Sequence, residues 1–149
     1  MTSVMVLNGP NLARLGSREP EIYGTANYED LVTVCHDTAH RLGLQVDVRQ
    51  SDDEAELIRW IHEAIDADQP IVINPAAFTH YSYALRDALA QCARPVIEVH
   101  LSNPAAREEF RHHSVVSGVV TGTIAGFGIH SYAIALEGMA AVLGRGATD

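Results

Sequence analysis

Short apolar runs alternate along this chain with longer segments whose apolar residues recur at helical spacing. This alternation constrains the fold most, because strands that alternate with helices favour a parallel sheet covered on both faces. Five runs predict strands, and they are Ser3–Leu7, Leu44–Val48, Ile71–Ile73, Val96–Val99 and Val115–Val120. The pattern therefore predicts an α/β fold.

Four segments between and after these runs predict helices. Asn27 is expected to cap the first, Gly43 to end it, and Ser51 or Asp52 to cap the second. The third is expected to turn its apolar stripe inward and two charged residues outward; the stripe is Tyr81, Ala84, Leu85, Ala88 and Leu89, and the charged residues are Arg86 and Asp87. Phe127–Leu143, the last helix, is apolar on most sides. We expect a flavodoxin-like three-layer sandwich with a five-stranded parallel sheet of order 2-1-3-4-5 and ligands beyond the carboxyl ends of the strands.

Composition limits the functional classes. The 149 residues are expected to form a single catalytic domain over 1–149, and the net charge of -9 argues against a nucleic-acid partner. Arginines near a site for an anion must overcome that charge locally. The N-terminus has no basic leader, and no apolar stretch reaches the roughly 20 residues that span a bilayer. We therefore expect no membrane partner and a cytoplasmic location.

All ten basic residues are arginine, so the chain contains no lysine. The absence excludes a lysine Schiff base, lysine-anchored pyridoxal phosphate and the lysine of a P-loop. Any chemistry must use histidine, tyrosine, arginine and carboxylates.

Two long connections leave predicted strands at the expected ligand-binding edge. Residues 8–26 begin with NGPNL and carry Arg14, Arg18 and Tyr23. This connection exceeds the usual length of about 4–6 residues, which favours a lid loop over a plain turn. Asn74 and His80 bracket the turn after strand three, which either binds a ligand or simply leads into the helix.

Glu98 and His100 are two positions apart in predicted strand four, so their side chains point to the same side. A carboxylate beside an imidazole fixes its tautomer and makes a competent general acid. A structural ion pair explains the spacing equally well, but the position at the strand end favours catalysis. His36 and His40 have the i,i+4 spacing of metal ligands without a third ligand, and we assign no metal.

Two other classes share the expected fold. A response-regulator receiver needs an acidic pair after strand one, an Asp after strand three and a Lys after strand five; Asn8, Asn74 and the lack of lysine fail all three. An FMN electron carrier needs a Ser/Thr-rich phosphate loop after strand one, which NGPNLARLG is not. The glycine-rich segment 122–128 is better explained as a tight strand-to-helix turn than as a phosphate cradle.

Five separated segments carry a family resemblance: NGPNLARLG, REPEIYG, NPAAFTHYSYALRDAL, IEVHLSN and AREEFRHHS. In this order and spacing, from Val4 to about Leu143, the chain resembles the type II 3-dehydroquinate dehydratases. The resemblance implies trans elimination of water from 3-dehydroquinate to 3-dehydroshikimate through an enolate, without cofactor or Schiff base. The step serves the shikimate pathway or quinate breakdown.

The resemblance also implies roles for individual residues. Tyr23 would be the base, with Arg18 lowering its pKa, Asn11 would stabilise the enolate, and His100, oriented by Glu98, would be the acid. The substrate-binding residues would be Asn74, Ser102 and the backbone of Leu101 for the carboxylate, His80 and Arg111 for ring hydroxyls, and Asp87 from a neighbouring subunit. The family assembles as a dodecamer of trimers. Ala76, where glycine is usual, and Gln91, where an acid is usual, depart from the pattern.

Overall fold

A computed structural model describes residues 1–17, 21 and 25–148. The strands within them are β1 (Ser3–Asn8), β2 (Gln45–Gln50), β3 (Ile71–Asn74), β4 (Val96–His100) and β5 (Gly122–Ala125). The helices with their bounds are α1 (Tyr28–Leu42), α2 (Glu54–Asp66), α3 (Tyr83–Ala90) and α4 (His130–Thr148). The strands pair in parallel in the order β2-β1-β3-β4-β5, so the predicted sheet is confirmed.

Alternate residues of the strands feed two separate apolar clusters. Val4 and Val6 pack with α1 and α4 on one face of the sheet, whereas Met5 and Leu7 pack with α2 and α3 on the other. Burial on both faces explains why β1 and β3 are continuous apolar runs rather than alternating ones. The predicted three layers follow from these two clusters.

The predicted fifth strand is wrong. Val115 and Val116 are buried against α3, but the chain then turns into a short 3-10 helix at Ser117–Val119. The strand beside β4 is Gly122–Ala125, with Gly122 opposite Ile97. The apolar run at Val115–Val120 reflects packing, and tertiary pairing overrides the weak strand propensity of glycine.

Several helix ends differ from the predictions, and the largest difference is at α4, which ends at Thr148 and not at Leu143. Asn27 caps α1 with Asp30 in a reciprocal capping box, and Gly43 ends it in the left-handed region, as predicted. Asp53 caps α2, not Ser51 or Asp52. Positive φ angles at Gly126 and Gly128, in the predicted tight turn, delay α4 to His130.

The inward stripe predicted for the third helix is partly wrong. Ser82 caps α3, so the helix begins only at Tyr83, and Ala84 and Tyr81 are exposed. Leu85 and Leu89 do face the core. Among the described residues, none of the helices is long and apolar enough to cross a membrane.

Candidate active site

A cleft lies beyond the carboxyl ends of β1, β3 and β4, where ligands were expected. Its empty space, counted together with the open solvent at its mouth, is about 670 Å³. The strand-end segments contribute five predicted site residues to its lining, Asn11, Asn74, His100, Leu101 and Ser102. His80 and Arg111 line it from the 3-10 helices Ala76–His80 and Glu109–His112.

The other predicted site residues lie elsewhere. Glu98 is completely buried behind His100, and Asp87 is exposed on α3, 3.5 Å from Arg86. Arg18 and Tyr23 lie outside the described residues. Among the residues that are described, no three His, Cys, Asp or Glu side chains converge on a position for a metal ion.

Close backbone contact between two loops builds one wall of the cleft. The Gly9 N–H donates to the Asn74 carbonyl at 2.8 Å, and a Cβ on Gly9 would lie 2.6 Å from the Pro75 carbonyl oxygen. Only glycine fits there. The tight contact brings Asn11, itself at a φ of 72°, to the same cleft as Asn74.

Ala76, where the family resemblance led us to expect glycine, has a φ of 53°. This left-handed conformation is unfavourable for a residue with a Cβ. The Ala76 N–H donates to Asn74 Oδ1 at 3.0 Å, so the strained backbone also orients the Asn74 side chain. The substitution is accommodated with the turn in place.

A buried chain of hydrogen bonds fixes the Nδ2 end of the Asn74 amide. Asn74 Nδ2 donates to the Tyr132 hydroxyl at 3.0 Å, and that hydroxyl donates to Asn8 Oδ1. Burial raises the pKa of Tyr132 well above its usual value, so the phenol keeps its proton. Because the phenol can donate only one proton, the chain sets which end of the Asn74 amide carries the N–H groups. Tyr132 was not among the predicted site residues, and it is 58 residues from Asn74 along the chain.

Tyr132→Phe is expected to lower the free energy of unfolding by about 1–3 kcal/mol, because it leaves Asn8 Oδ1 and an Asn74 N–H unpaired in a buried site. Urea unfolding followed by circular dichroism measures the change. Tyr81→Phe is the matched control, since Tyr81 is 59% exposed and should change stability by less than about 0.5 kcal/mol. Equal stability of the two variants would show that the hydrogen bonds of Tyr132 contribute nothing to the free energy of unfolding.

Glu98 and His100 form the pair expected from their spacing. His100 Nε2 lies 2.6 Å from Glu98 Oε2, and the side chains are 11% and 0% exposed. Burial opposes ionisation of Glu98, but hydrogen bonds from His100, Ser117 and Thr79 outweigh it and hold the pKa below its usual value. Glu98 is therefore a carboxylate at neutral pH. The carboxylate accepts a hydrogen bond from Nε2–H of His100. Nδ1 is therefore the ring nitrogen of His100 that Glu98 does not contact.

His80 is oriented by the backbone. Its Nδ1 lies 2.8 Å from the His113 carbonyl, which can only accept, so Nδ1 carries the proton. Burial is the largest influence on the His80 imidazole and lowers its pKa. The ring is therefore neutral near pH 7, with Nε2 available to accept a hydrogen bond from a hydroxyl.

The lining of the cleft is cationic in an acidic chain, although Glu108, outside the lining, lies 3.9 Å from Arg107 and 3.3 Å from Arg111. Arg107 and Arg111 both line it, and no carboxylate is among the described lining residues. Arg107 Nη1 also donates to the Ser102 hydroxyl at 3.3 Å. Arg107 was not among the predicted site residues, although the segment AREEFRHHS contains it. A small anion suits this lining.

Comparisons with known proteins agree with the geometry. The family model described as dehydroquinase class II matches residues 2–140. A protein of Salinispora tropica named 3-dehydroquinate dehydratase is 59% identical over 138 residues, covering 93% of this chain and 96% of its own length. One of the same name from Mycobacterium tuberculosis is 52% identical over 141 residues, covering 95% and 96%.

Solved structures are similar across nearly the whole chain. The type II dehydroquinase of Propionibacterium acnes superposes with a TM-score of 0.92 at 56% identity, covering 95% of this chain and 97% of that one. The type II dehydroquinase of Butyrivibrio crossotus gives 0.90 at 46% identity, covering 93% and 97%.

Proposed function

This chain belongs to the class II dehydroquinase family, and we propose that it catalyses the trans elimination of water from 3-dehydroquinate to give 3-dehydroshikimate. The observation that carries the proposal is the Glu98–His100 pair, joined at 2.6 Å where a cationic cleft meets the end of β4. The pair supplies an oriented acid, and the two arginines suit a substrate that bears a carboxylate.

The reaction begins with removal of a proton from C2, beside the C3 ketone. Tyr23, as tyrosinate, takes this proton, and Arg18 lowers the pKa of the phenol by placing a positive charge near it. Electrons move to the ketone oxygen and form an enolate. Asn11, which lines the cleft, stabilises the developing charge with its side-chain dipole.

The reaction ends when the C1 hydroxyl leaves as water. Since Nε2 is held by Glu98, the proton comes from Nδ1 of the His100 imidazolium. The Glu98 carboxylate stabilises that imidazolium and keeps the ring in one orientation. The enolate collapses to the enone, and solvent exchange returns a proton to His100 and removes one from Tyr23.

Substrate binding uses the fixed polar groups of the cleft. Asn74 and the N–H groups of Leu101 and Ser102 hold the carboxylate, helped by the orientation that Tyr132 and Ala76 impose on the Asn74 amide. His80 Nε2 accepts a hydrogen bond from one ring hydroxyl of the substrate, and Arg111 donates a hydrogen bond to another ring hydroxyl. The step itself is common to shikimate synthesis and quinate breakdown.

A spectroscopic assay tests the activity. Purified protein added to 3-dehydroquinate is expected to raise the ultraviolet absorbance of the conjugated enone carboxylate. Borohydride added during turnover should leave no substrate-derived mass on the chain, which has no lysine to form a Schiff base. A folded protein that gives no absorbance change contradicts the proposed function.

The proposed assembly is a dodecamer built of trimers. Besides the terminal Met1, four large apolar side chains are exposed on the described surface of the single chain; they are Tyr81, Tyr83, Phe110 and Phe127. These side chains are available to be buried between subunits. Asp87, 76% exposed on α3, would complete the site of an adjoining subunit.

Asp87→Ala is expected to lower activity although its own cleft keeps His100 and Asn74. Mixing it with inactive Tyr23→Phe under conditions of proven subunit exchange should restore part of the activity, because some interfaces then pair an intact Tyr23 with an intact Asp87. Steady-state rates of the mixture measure the recovery. Glu56→Ala replaces a carboxylate on α2 and serves as the matched control in the same mixing experiment. Full activity of a sedimenting monomer, or exchange without recovery, contradicts the shared site.

A further inference from the structure

Glu98 receives more hydrogen bonds than orientation of one histidine requires. Besides His100, the carboxylate accepts from Thr79 Oγ1 on Oε2 and from Ser117 Oγ on Oε1 at 2.6 Å. Ser114 Oγ lies 3.2 Å from Oε2 as well. The buried carboxylate is thus enclosed by three hydroxyls, here called the hydroxyl cage (Thr79, Ser114 and Ser117).

Backbone contacts orient the cage. The Thr79 carbonyl accepts from the Val115 N–H at 2.8 Å, which joins the turn after β3 to the segment before Ser117. Ser114 Oγ accepts from the N–H groups of Val116 and Ser117 at 3.1 and 3.0 Å. With its lone pairs so occupied, the Ser114 hydroxyl directs its proton toward Glu98 Oε2 and toward Thr79 Oγ1, which lies 3.0 Å away.

Thr79 and His100 compete for the same oxygen. Both donate to Glu98 Oε2, and Thr79 is 1% exposed, so water does not replace its hydroxyl. A carboxylate whose charge is shared among several donors attracts any one proton less strongly. A buried carboxylate without these donors would instead tend to take the imidazole proton, giving a neutral pair.

We propose that the hydroxyl cage is a positioning device that keeps Glu98 ionised yet draws part of its charge away from His100, so that His100 releases its proton more readily to the leaving hydroxyl. This inference rests on the proposed function for its catalytic consequence. The effect of the cage on the charge of Glu98, and through it on His100, does not depend on that function. The residues of the cage touch Glu98 and act through it.

Thr79→Val tests the cage, since valine keeps the shape of threonine and removes only the hydroxyl. With less competition at Oε2, the His100 imidazolium should hold its proton more tightly. The basic limb of the kcat profile should move to higher pH by about half to one unit, and kcat on the plateau should fall by about two- to tenfold, while KM changes little. Thr79→Ser keeps the hydroxyl and loses a methyl group, so it should recover most of kcat and the parent pH profile.

The other charged or titratable groups facing the pair are unchanged in these variants. In the described part of the chain they are His80 from the turn after β3, Arg107 from the segment after β4, and Arg111 from the 3-10 helix Glu109–His112. His80 stays neutral near pH 7 because burial lowers its pKa. A shift seen in Thr79→Val and absent in Thr79→Ser therefore belongs to the hydroxyl.

Nitrogen NMR of the His100 imidazole separates this inference from the proposed function. Its titration midpoint should rise in Thr79→Val whether or not 3-dehydroquinate turns over, so an inactive parent protein would refute the function and leave the cage standing. An unshifted midpoint, or Thr79→Ser shifted as far as Thr79→Val, overturns the cage. If Thr79→Val fails to fold, Ser117→Ala should shift the midpoint in the same direction by less, and no shift there also overturns it.

Discussion

His100→Gln is expected to lower kcat by about 10²–10⁴-fold, the usual contribution of a general acid. The glutamine amide can donate to Glu98 as Nε2 does now, at 2.6 Å, so the buried carboxylate keeps a partner. Unlike an imidazolium, the glutamine amide cannot release a proton near neutral pH. The C1 hydroxyl would then have to leave as hydroxide or take its proton from water.

Binding and stability separate this outcome from structural damage. Substrate affinity, measured by calorimetry under conditions of negligible turnover, should stay within a few-fold, because Asn74, Ser102 and Arg111 remain in the cleft. His36→Gln is the matched control, since His36 is exposed on α1 and should keep the parent kcat. A His100→Gln enzyme that retains more than about a tenth of kcat would place the acid elsewhere.

Tyr23→Phe is expected to have a comparable effect, about 10²–10⁴-fold on kcat, because phenylalanine keeps the ring and removes the proton acceptor. Substrate should still bind, and label at C2 should no longer wash into solvent. Rates and label exchange, followed together by mass spectrometry, distinguish loss of proton removal from loss of dehydration.

Tyr83→Phe provides the comparison for this second variant. Tyr83 is 68% exposed on α3, and loss of its hydroxyl should leave kcat and exchange as in the parent. Continued exchange of the C2 label in Tyr23→Phe would mean that another group removes the proton, and the assigned base would be wrong.

The order of the sheet was predictable because residues close together in the sequence determine where most of its strands and helices begin and end. Apolar runs, caps such as Asn27 and the helix-ending Gly43 determine the order of elements, and the alternation of elements determines a parallel sheet. The fifth strand was not predictable in this way. Gly122–Ala125 becomes a strand only by pairing with β4, and Val115 is apolar because it packs against α3.

The site also contains some contacts that local sequence predicts and others that it does not. Glu98 and His100 are two residues apart in one strand, so the period of the strand predicts their contact. The groups around them come from distant segments; Thr79 and Ser117 each lie 19 residues from Glu98 along the chain. No local pattern reports such an arrangement. Arg107 was missed for the same reason, whereas the roles of Tyr23, Arg18 and Asp87 stay predictions from the family resemblance.

Stereospecific labelling tests the central claim most directly. 3-Dehydroquinate carrying deuterium at the C2 position anti to the C1 hydroxyl should give product without the label, and the other C2 epimer should give product that retains it. Mass spectrometry of the 3-dehydroshikimate formed in a brief incubation, before non-enzymatic exchange, reads both. Retention of the anti label with loss of the syn label would contradict a trans elimination, and absence of product would contradict the activity itself.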